Sequence, residues 1–256
     1  MSVKYEVVGR RATITIDDPE RRNPMSVETM SALLEKTRDA MSDPAVGVVV
    51  YTGAGDRAFS AGGDLSGSFV DDAIGLHRGR GDIAVLFREM MGGGKPTIAR
   101  VNGHAIAGGF GLAVACDITI CVDDARLGTT EVKVGLWPMM ISAVLARAMP
   151  RKAVLEMMLT GRLLSAEEAH RLGAVSRVVA REQLDEVVDE VVDAVLALSP
   201  ATLMMGKDSF YGMVDLGLDT ALDRLQGGLT EVAMTDDARE GVTAFIEKRD
   251  PDWSGR

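Results

Sequence analysis

Two short apolar stretches open the chain, Tyr5 to Val8 and Ala12 to Ile16. Both are rich in β-branched residues and they flank Gly9-Arg10-Arg11, which predicts a hairpin. Beyond Pro24, Ser26 is placed to cap a helix whose Val27, Met30, Leu33, Leu34 and Met41 recur at helical spacing. The run from Val46 to Thr52, VGVVVYT, shows no polar alternation and reads as a strand buried on both faces. The rhythm then repeats with a helix around Ile83 to Met91, a strand from Thr97 to Val101, a glycine-rich turn, a short helix around Leu112 to Ala115 and a strand from Ile118 to Val122. Repeated strand and helix units predict an α/β core with helices packed on a sheet.

After Pro138 the period changes to that of helices. It runs through Ile141 to Met149, Ala153 to Leu159 and Ala166 to Leu172, the last opening with the capping-box spacing Ser165-Ala-Glu-Glu168. Helices also fit Gln183 to Leu198, Ala201 to Tyr211, Leu218 to Val232 and Ala238 to Glu247. Ser199-Pro200 interrupts this series, so the chain divides into a core over residues 1–199 and a helical region over 200–256.

With 256 residues and 46% hydrophobic content, the chain can fill a core without covalent staples. Its two cysteines, Cys116 and Cys121, lie in one apolar stretch and indicate neither a disulfide framework nor a metal site; a reducing cytoplasm is expected. No apolar run reaches bilayer length, and no membrane partner is expected. A formal net charge of -10 argues against nucleic acid, whose binding needs clustered Lys and Arg.

Glycines concentrate in two places, each after a predicted buried strand: Phe59-Ser-Ala-Gly-Gly-Asp-Leu65, and Asn102-Gly-His-Ala-Ile-Ala-Gly-Gly-Phe-Gly111. Loops beyond the carboxyl ends of strands are where α/β proteins bind ligands, and glycine lets the backbone approach closely. Two such loops, the second leading into a helix, could hold a negatively charged oxygen between two N–H groups. Other motifs fail on spacing. Gly109-Phe-Gly111 has Val114 where a dinucleotide fingerprint needs glycine, Gly92-Gly-Gly-Lys95 is followed by Pro96 where a phosphate loop needs Ser or Thr, and Ser60 lacks a nucleophile elbow. His77, His104 and His170 are too dispersed for a metal site, and His104 reads as a packing or loop residue, not a catalyst.

Five segments in order, AFSAGGDL, KPTIARVNGHAIAGGFGLAVACD, ARLGTTEVKVGLWP, LTGRLLSAEEAHRLGAVSRVV and EGVTAFIEKR, resemble the signature segments of the crotonase (enoyl-CoA hydratase/isomerase) superfamily. The resemblance implies a β/α spiral core, a helical C-terminal trimerisation region, and a homotrimer or a hexamer built as a dimer of trimers. It implies an acyl-CoA substrate whose coenzyme A is part of the substrate, with no resident cofactor. By motif position, Gly63 and Gly108 would supply the two N–H donors to the thioester oxygen, and Glu131 would be the catalytic base. Arg22 and the loop Ala61, Asp64 and Leu65 would meet the nucleotide end, with Phe245 and Lys248 reaching it from a neighbouring subunit. Trp137 and Met139 are candidates for the acyl pocket, and residues 66–82 resemble the mobile segment that shapes it.

The chain departs from the hydratase pattern at Gly111, where a second catalytic glutamate would stand. Two carboxylates hold and activate water; one suffices to move a proton between carbons. Double-bond isomerisation or weak hydration of an enoyl-CoA is therefore expected, with Gly111→Glu restoring some hydration where the loop tolerates it. The alternative is a catalytically silent acyl-CoA-binding or assembly protein of the same fold.

Overall fold

The computed structural model describes residues 2–64 and 73–256, with no side-chain description for residues 73–76 and 78–80. In chain order it forms β1 (Val3–Val8), β2 (Arg11–Ile16), β3 (Pro24–Met25), α1 (Val27–Ser42), β4 (Val48–Gly53), β5 (Ala58–Ser60), β6 (Gly62–Gly63) and α2 (Ala73–Gly92). There follow β7 (Thr97–Val101), β8 (His104–Ile106), α3 (Gly108–Ala115), β9 (Ile118–Val122), β10 (Arg126–Gly128), α4 (Met139–Ala148), α5 (Arg151–Thr160), β11 (Leu164–Ser165), α6 (Ala166–Arg171) and β12 (Arg177–Val179). The chain closes with four helices: α7 (Leu184–Leu196), α8 (Pro200–Met213), α9 (Leu218–Ala233) and α10 (Asp236–Glu247).

Among the described residues, one sheet has six strands in the order β1-β2-β4-β7-β9-β12, and a second has four in the order β11-β10-β8-β5. The chain alternates between them, passing from β4 to β5, from β7 to β8 and from β9 to β10. Each passage is one turn of a spiral, and stacked turns make both sheets largely parallel. Full burial of β4 explains its unbroken apolar sequence, since both its neighbours are parallel strands and helices including α1 and α7 pack on the sheet. Ser26 caps α1 by accepting the Thr29 N–H at 3.2 Å, and Met30, Leu33 and Leu34 turn inward. The Tyr51 hydroxyl, buried on β4, pairs with the Thr37 hydroxyl of α1 at 2.9 Å.

The expected hairpin forms with Val3 opposite Ile16, and most expected helices stand within a few residues of their predicted ends. The helix expected around Ile83 to Met91 is longer and already begins at Ala73. Other elements differ as well. The helix read around Leu112 to Ala115 begins four residues earlier at Gly108, because the glycine turn is itself the first turn of the helix. The short strands of the four-stranded sheet have too few residues to show any periodicity.

Ser199 and Pro200, the expected boundary, cap and open α8. That helix is anchored to the core by Lys207, whose side chain is 8% exposed and whose ammonium donates to the carbonyls of Met90 and Lys95 and lies 2.8 Å from Asp117. By contrast α9 and α10 leave Leu218, Leu229, Met234, Val242, Phe245 and Ile246 exposed. No helix among the described residues is long and apolar enough to cross a membrane, and no group of His, Cys, Asp and Glu there could hold a metal ion.

Candidate active site

Three adjacent parallel strands of the second sheet, in the spatial order β5, β8, β10, point their carboxyl ends the same way. Two or three residues beyond those ends stand Gly63, Gly108 and Glu131 respectively. A parallel sheet releases its chains at one edge, so residues distant in sequence emerge side by side.

The two glycines approach one another through their neighbours. Met25 pairs in register with Gly63 across β3 and β6, and its sulfur lies 3.4 Å from where a Cβ on Gly108 would sit. Gly62, at φ +88°, has no room for a side chain. Its Cβ would fall 2.6 Å from Ala107 Cβ, 2.7 Å from the Ile106 oxygen and 3.4 Å from the Gly108 nitrogen. As the first residue of α3, Gly108 has no intrahelical acceptor for its N–H, and the helix dipole lies behind it. Gly63 is exposed, and a Cβ there would meet nothing within 4 Å.

Glu131 opens the 3-10 turn Glu131–Val134. Its carboxyl is half-buried, and burial pushes its pKa up, partly offset by backbone N–H groups of Glu131 and Thr130. Its Oε2 is buried with no hydrogen-bond partner in the protein, and the Thr129 hydroxyl two residues earlier is buried and equally unpaired. Two orphaned polar atoms at one strand end are uncommon in a folded protein.

Gly111, buried in α3, faces Ile141 of α4. An added Cβ would lie 2.2 Å from Ile141 Cγ2, 2.7 Å from Ile141 Cβ and 3.4 Å from the Phe87 ring. The missing carboxylate is therefore not an open slot, and the condition set on Gly111→Glu, that the loop tolerate a side chain, meets a filled space. The branch point of Ile141 occupies the space, and a branch point cannot swing aside as a flexible chain end can.

The remaining expected residues divide. Arg22 and Ala61 are brought together, the Ala61 N–H donating to the Arg22 carbonyl at 2.9 Å. Asp64 adjoins them but is ion-paired at 2.7 Å with Arg21. Trp137 packs against the core, while Met139 at the start of α4 is 69% exposed. Phe245, 84% exposed, and Lys248, the left-handed C-cap of α10, belong to a helix that packs on α8 and α9 and not on the strands bearing the glycines. Leu65 and residues 66–72 lie outside the described residues. His104 is exposed, and its Nδ1 accepts the Arg126 N–H at 3.1 Å, which braces β8 to β10. The Ile141 and Phe87 wall was not foreseen, because nothing local in the sequence says that α4 returns to α3.

A family model described as enoyl-CoA hydratase/isomerase matches residues 9–256. The chain is 39% identical over 248 residues, 95% of this chain and 97% of the relative, to a Thermus thermophilus protein provisionally named an enoyl-CoA hydratase. It is 35% identical to the carnitinyl-CoA dehydratase of Salmonella typhimurium, over 95% of this chain and 94% of the relative. Among solved structures it resembles human enoyl Coenzyme A hydratase domain-containing protein 3, with TM-score 0.95 and 29% identity over 99% of this chain and all of that one. An enoyl-CoA hydratase from Mycobacterium smegmatis superposes with TM-score 0.94 at 31% identity, over 99% of each chain.

Proposed function

The chain belongs to the enoyl-CoA hydratase/isomerase family, and from that premise we propose that it catalyses enolate chemistry on an acyl-CoA thioester with Glu131 as its single base. The observation that carries this reading is the emergence of Gly63, Gly108 and Glu131 from three adjacent parallel strands, with a Glu131 oxygen left unpaired.

In this mechanism the N–H groups of Gly63 and Gly108 bind the thioester oxygen and Glu131 removes a proton from C2 of a 3-enoyl thioester. The electron pair passes through the former C3–C4 double bond, negative charge gathers on the oxygen, and the proton returns at C4 to leave a 2-enoyl thioester. Each oxyanion donor is worth about 3 to 4 kcal/mol at the transition state. Burial supports the base's role, since a carboxylate with raised pKa takes a proton more readily.

Hydration is disfavoured because water needs a second hydrogen-bonding carboxylate, and the place for one is filled by Ile141 and Phe87. Asp64 is engaged by Arg21, which leaves it poorly suited to replace that carboxylate. Arg22, Ala61, Asp64 and Leu65 are assigned to the nucleotide end, and Trp137 and Met139 to the acyl chain. The reading includes a homotrimer, or two paired trimers, supported by the exposed apolar residues of α9 and α10, with Phe245 and Lys248 acting on a neighbour's substrate.

The experiment is a parallel assay of 3-enoyl-CoA isomerisation and 2-enoyl-CoA hydration on one preparation, with Glu131→Gln as control. Isomerisation that disappears in the variant while acyl-CoA binding persists is the expected result; turnover unchanged in Glu131→Gln overturns the assignment of the base.

A further inference from the structure

Two asparagines, Asn23 and Asn102, are almost completely buried, 0% and 2% exposed, and both turn their amides onto the loop between β4 and β5. The Asn23 amide donates to the carbonyls of Ala54 at 3.0 Å and Ala58 at 2.8 Å, while its Oδ1 accepts the Asp18 N–H at 3.0 Å. The Asn102 amide donates to Gly55 at 2.7 Å and reaches Ala58 at 3.5 Å; its Oδ1 accepts the Gly53 N–H at 3.2 Å. The Arg181 guanidinium closes the frame by donating to the carbonyls of Asn102 and Asp56.

Position along the chain gives this frame its meaning. Asn23 immediately precedes β3, which pairs with the strand holding Gly63. Asn102 stands two residues before β8, which leads into Gly108. Ala58, the carbonyl they share, begins β5, the strand that delivers Gly63. One carbonyl thus ties together the three strands that set the separation of the two donors. Asn23 also sits at φ +57°, a left-handed conformation that residues other than Gly, Asn and Asp rarely hold. The packing leaves no slack, since a Cβ on Gly53 would lie 2.6 Å from Asn23 Nδ2.

We infer that Asn23 and Asn102 are positioning residues that fix the spacing of the Gly63 and Gly108 N–H groups, an inference resting on the reading of those glycines as an oxyanion hole. A misplacement of about 1 Å in such a site costs up to roughly 100-fold in rate. Neither asparagine reaches substrate, so coenzyme A itself binds the variants as it binds the parent. Because both act on one loop, removing both costs little more than removing the more important one.

The test uses Asn23→Gly, which keeps the left-handed backbone and removes the amide, the milder Asn102→Ser, and their combination. Tyr51→Phe, which loses the remote hydrogen bond to Thr37, serves as a stability control. The probe is a dimethylaminocinnamoyl-CoA thioester, whose absorption moves to the red when its carbonyl is polarised, together with deuterium exchange at C2 of a short saturated acyl-CoA. The expected result is a diminished red shift and exchange slowed roughly 10- to 100-fold in each asparagine variant. Coenzyme A affinity stays unchanged, the combination is less than multiplicative, and Tyr51→Phe keeps the parental spectrum. A full red shift and parental exchange in folded asparagine variants overturns the inference alone. Loss of folding in both single variants while Tyr51→Phe folds assigns them a purely structural role and also overturns it. A parent protein giving neither red shift nor exchange overturns the oxyanion-hole reading itself, and this inference with it.

Discussion

A Cβ added to Gly111 would lie 2.2 Å from Cγ2 of Ile141, so these two residues contend for one space between α3 and α4. Gly111→Ala is therefore expected to destabilise the protein by about 1 to 3 kcal/mol, the usual cost of overpacking a filled core, measured by urea denaturation. Gly111→Glu alone gains no hydratase activity, and combining it with Ile141→Ala removes the contact with Cγ2 but leaves the one with Cβ at 2.7 Å, so the double variant stays less stable than the parent. A Gly111→Glu protein as stable as its parent would mean that α4 yields more readily than this geometry allows.

Glu131→Gln links function and stability with opposite signs. Burial holds the carboxyl above its ordinary value, so over the window between the unfolded and folded pKa values the folded state keeps a proton that the unfolded chain has lost. Stability drawn from that proton is present at low pH and is lost as pH rises through the folded value, which makes ionised Glu131 a cost at neutral pH. A neutral glutamine removes that cost. The variant is expected to melt higher, each kcal/mol gained raising Tm by roughly 2 to 4 °C in a chain of this size, while turnover falls about 10²- to 10⁴-fold. A lower Tm at neutral pH contradicts the electrostatic account.

The same raised pKa sets the pH profile. Glu131 accepts a proton only when ionised, so kcat/KM rises with pH through an acid limb and then levels. That limb is expected above the ordinary glutamate value of about 4.3, because burial disfavours the charge. A profile flat down to that value would remove Glu131 from the base's role.

Much of this was legible in the sequence, and what was not has a physical reason. Strands such as β4 and β9 have enough consecutive apolar residues to declare burial, and Ser26, Ser165 and Ser199 declare helix starts through their caps. The strands that assemble the site, β5, β8 and β10, are three residues each, too short for any period. β5 and β8 were visible only through the glycines beyond them, and β10 only through the resemblance of the segment that holds Glu131. The Ile141 wall opposite Gly111 and the pairing of Asp64 with Arg21 depend on how distant segments return to the site, which no local pattern encodes.

Lys207 fixes α8 to the core through Asp117 and two carbonyls, largely out of water. Lys207→Met leaves the Asp117 carboxylate without its cation, and breaking such a pair typically costs about 3 to 5 kcal/mol. Denaturant unfolding checks this. A loss below about 1 kcal/mol would mean that Tyr211 and Thr97, which also bond Asp117, satisfy that carboxylate alone.

Leu229, Met234, Phe245 and Ile246 are exposed on the C-terminal helices, and the proposed assembly would cover them. Phe245→Glu is expected to shift the sedimentation coefficient from that of a trimer or larger assembly toward a single chain, and to weaken coenzyme A binding with it. A parent protein that sediments as a monomer contradicts both the assembly and the contribution of a neighbour's Phe245 and Lys248.

The most direct measurement of the central claim is the ratio of two rates on one preparation, 3-enoyl-CoA isomerisation and 2-enoyl-CoA hydration. With one base and Ile141 in the second carboxylate's place, isomerisation should exceed hydration by roughly 10²- to 10⁴-fold, the worth of one positioned acid or base. Hydration at a rate equal to or above isomerisation would contradict the single-base account.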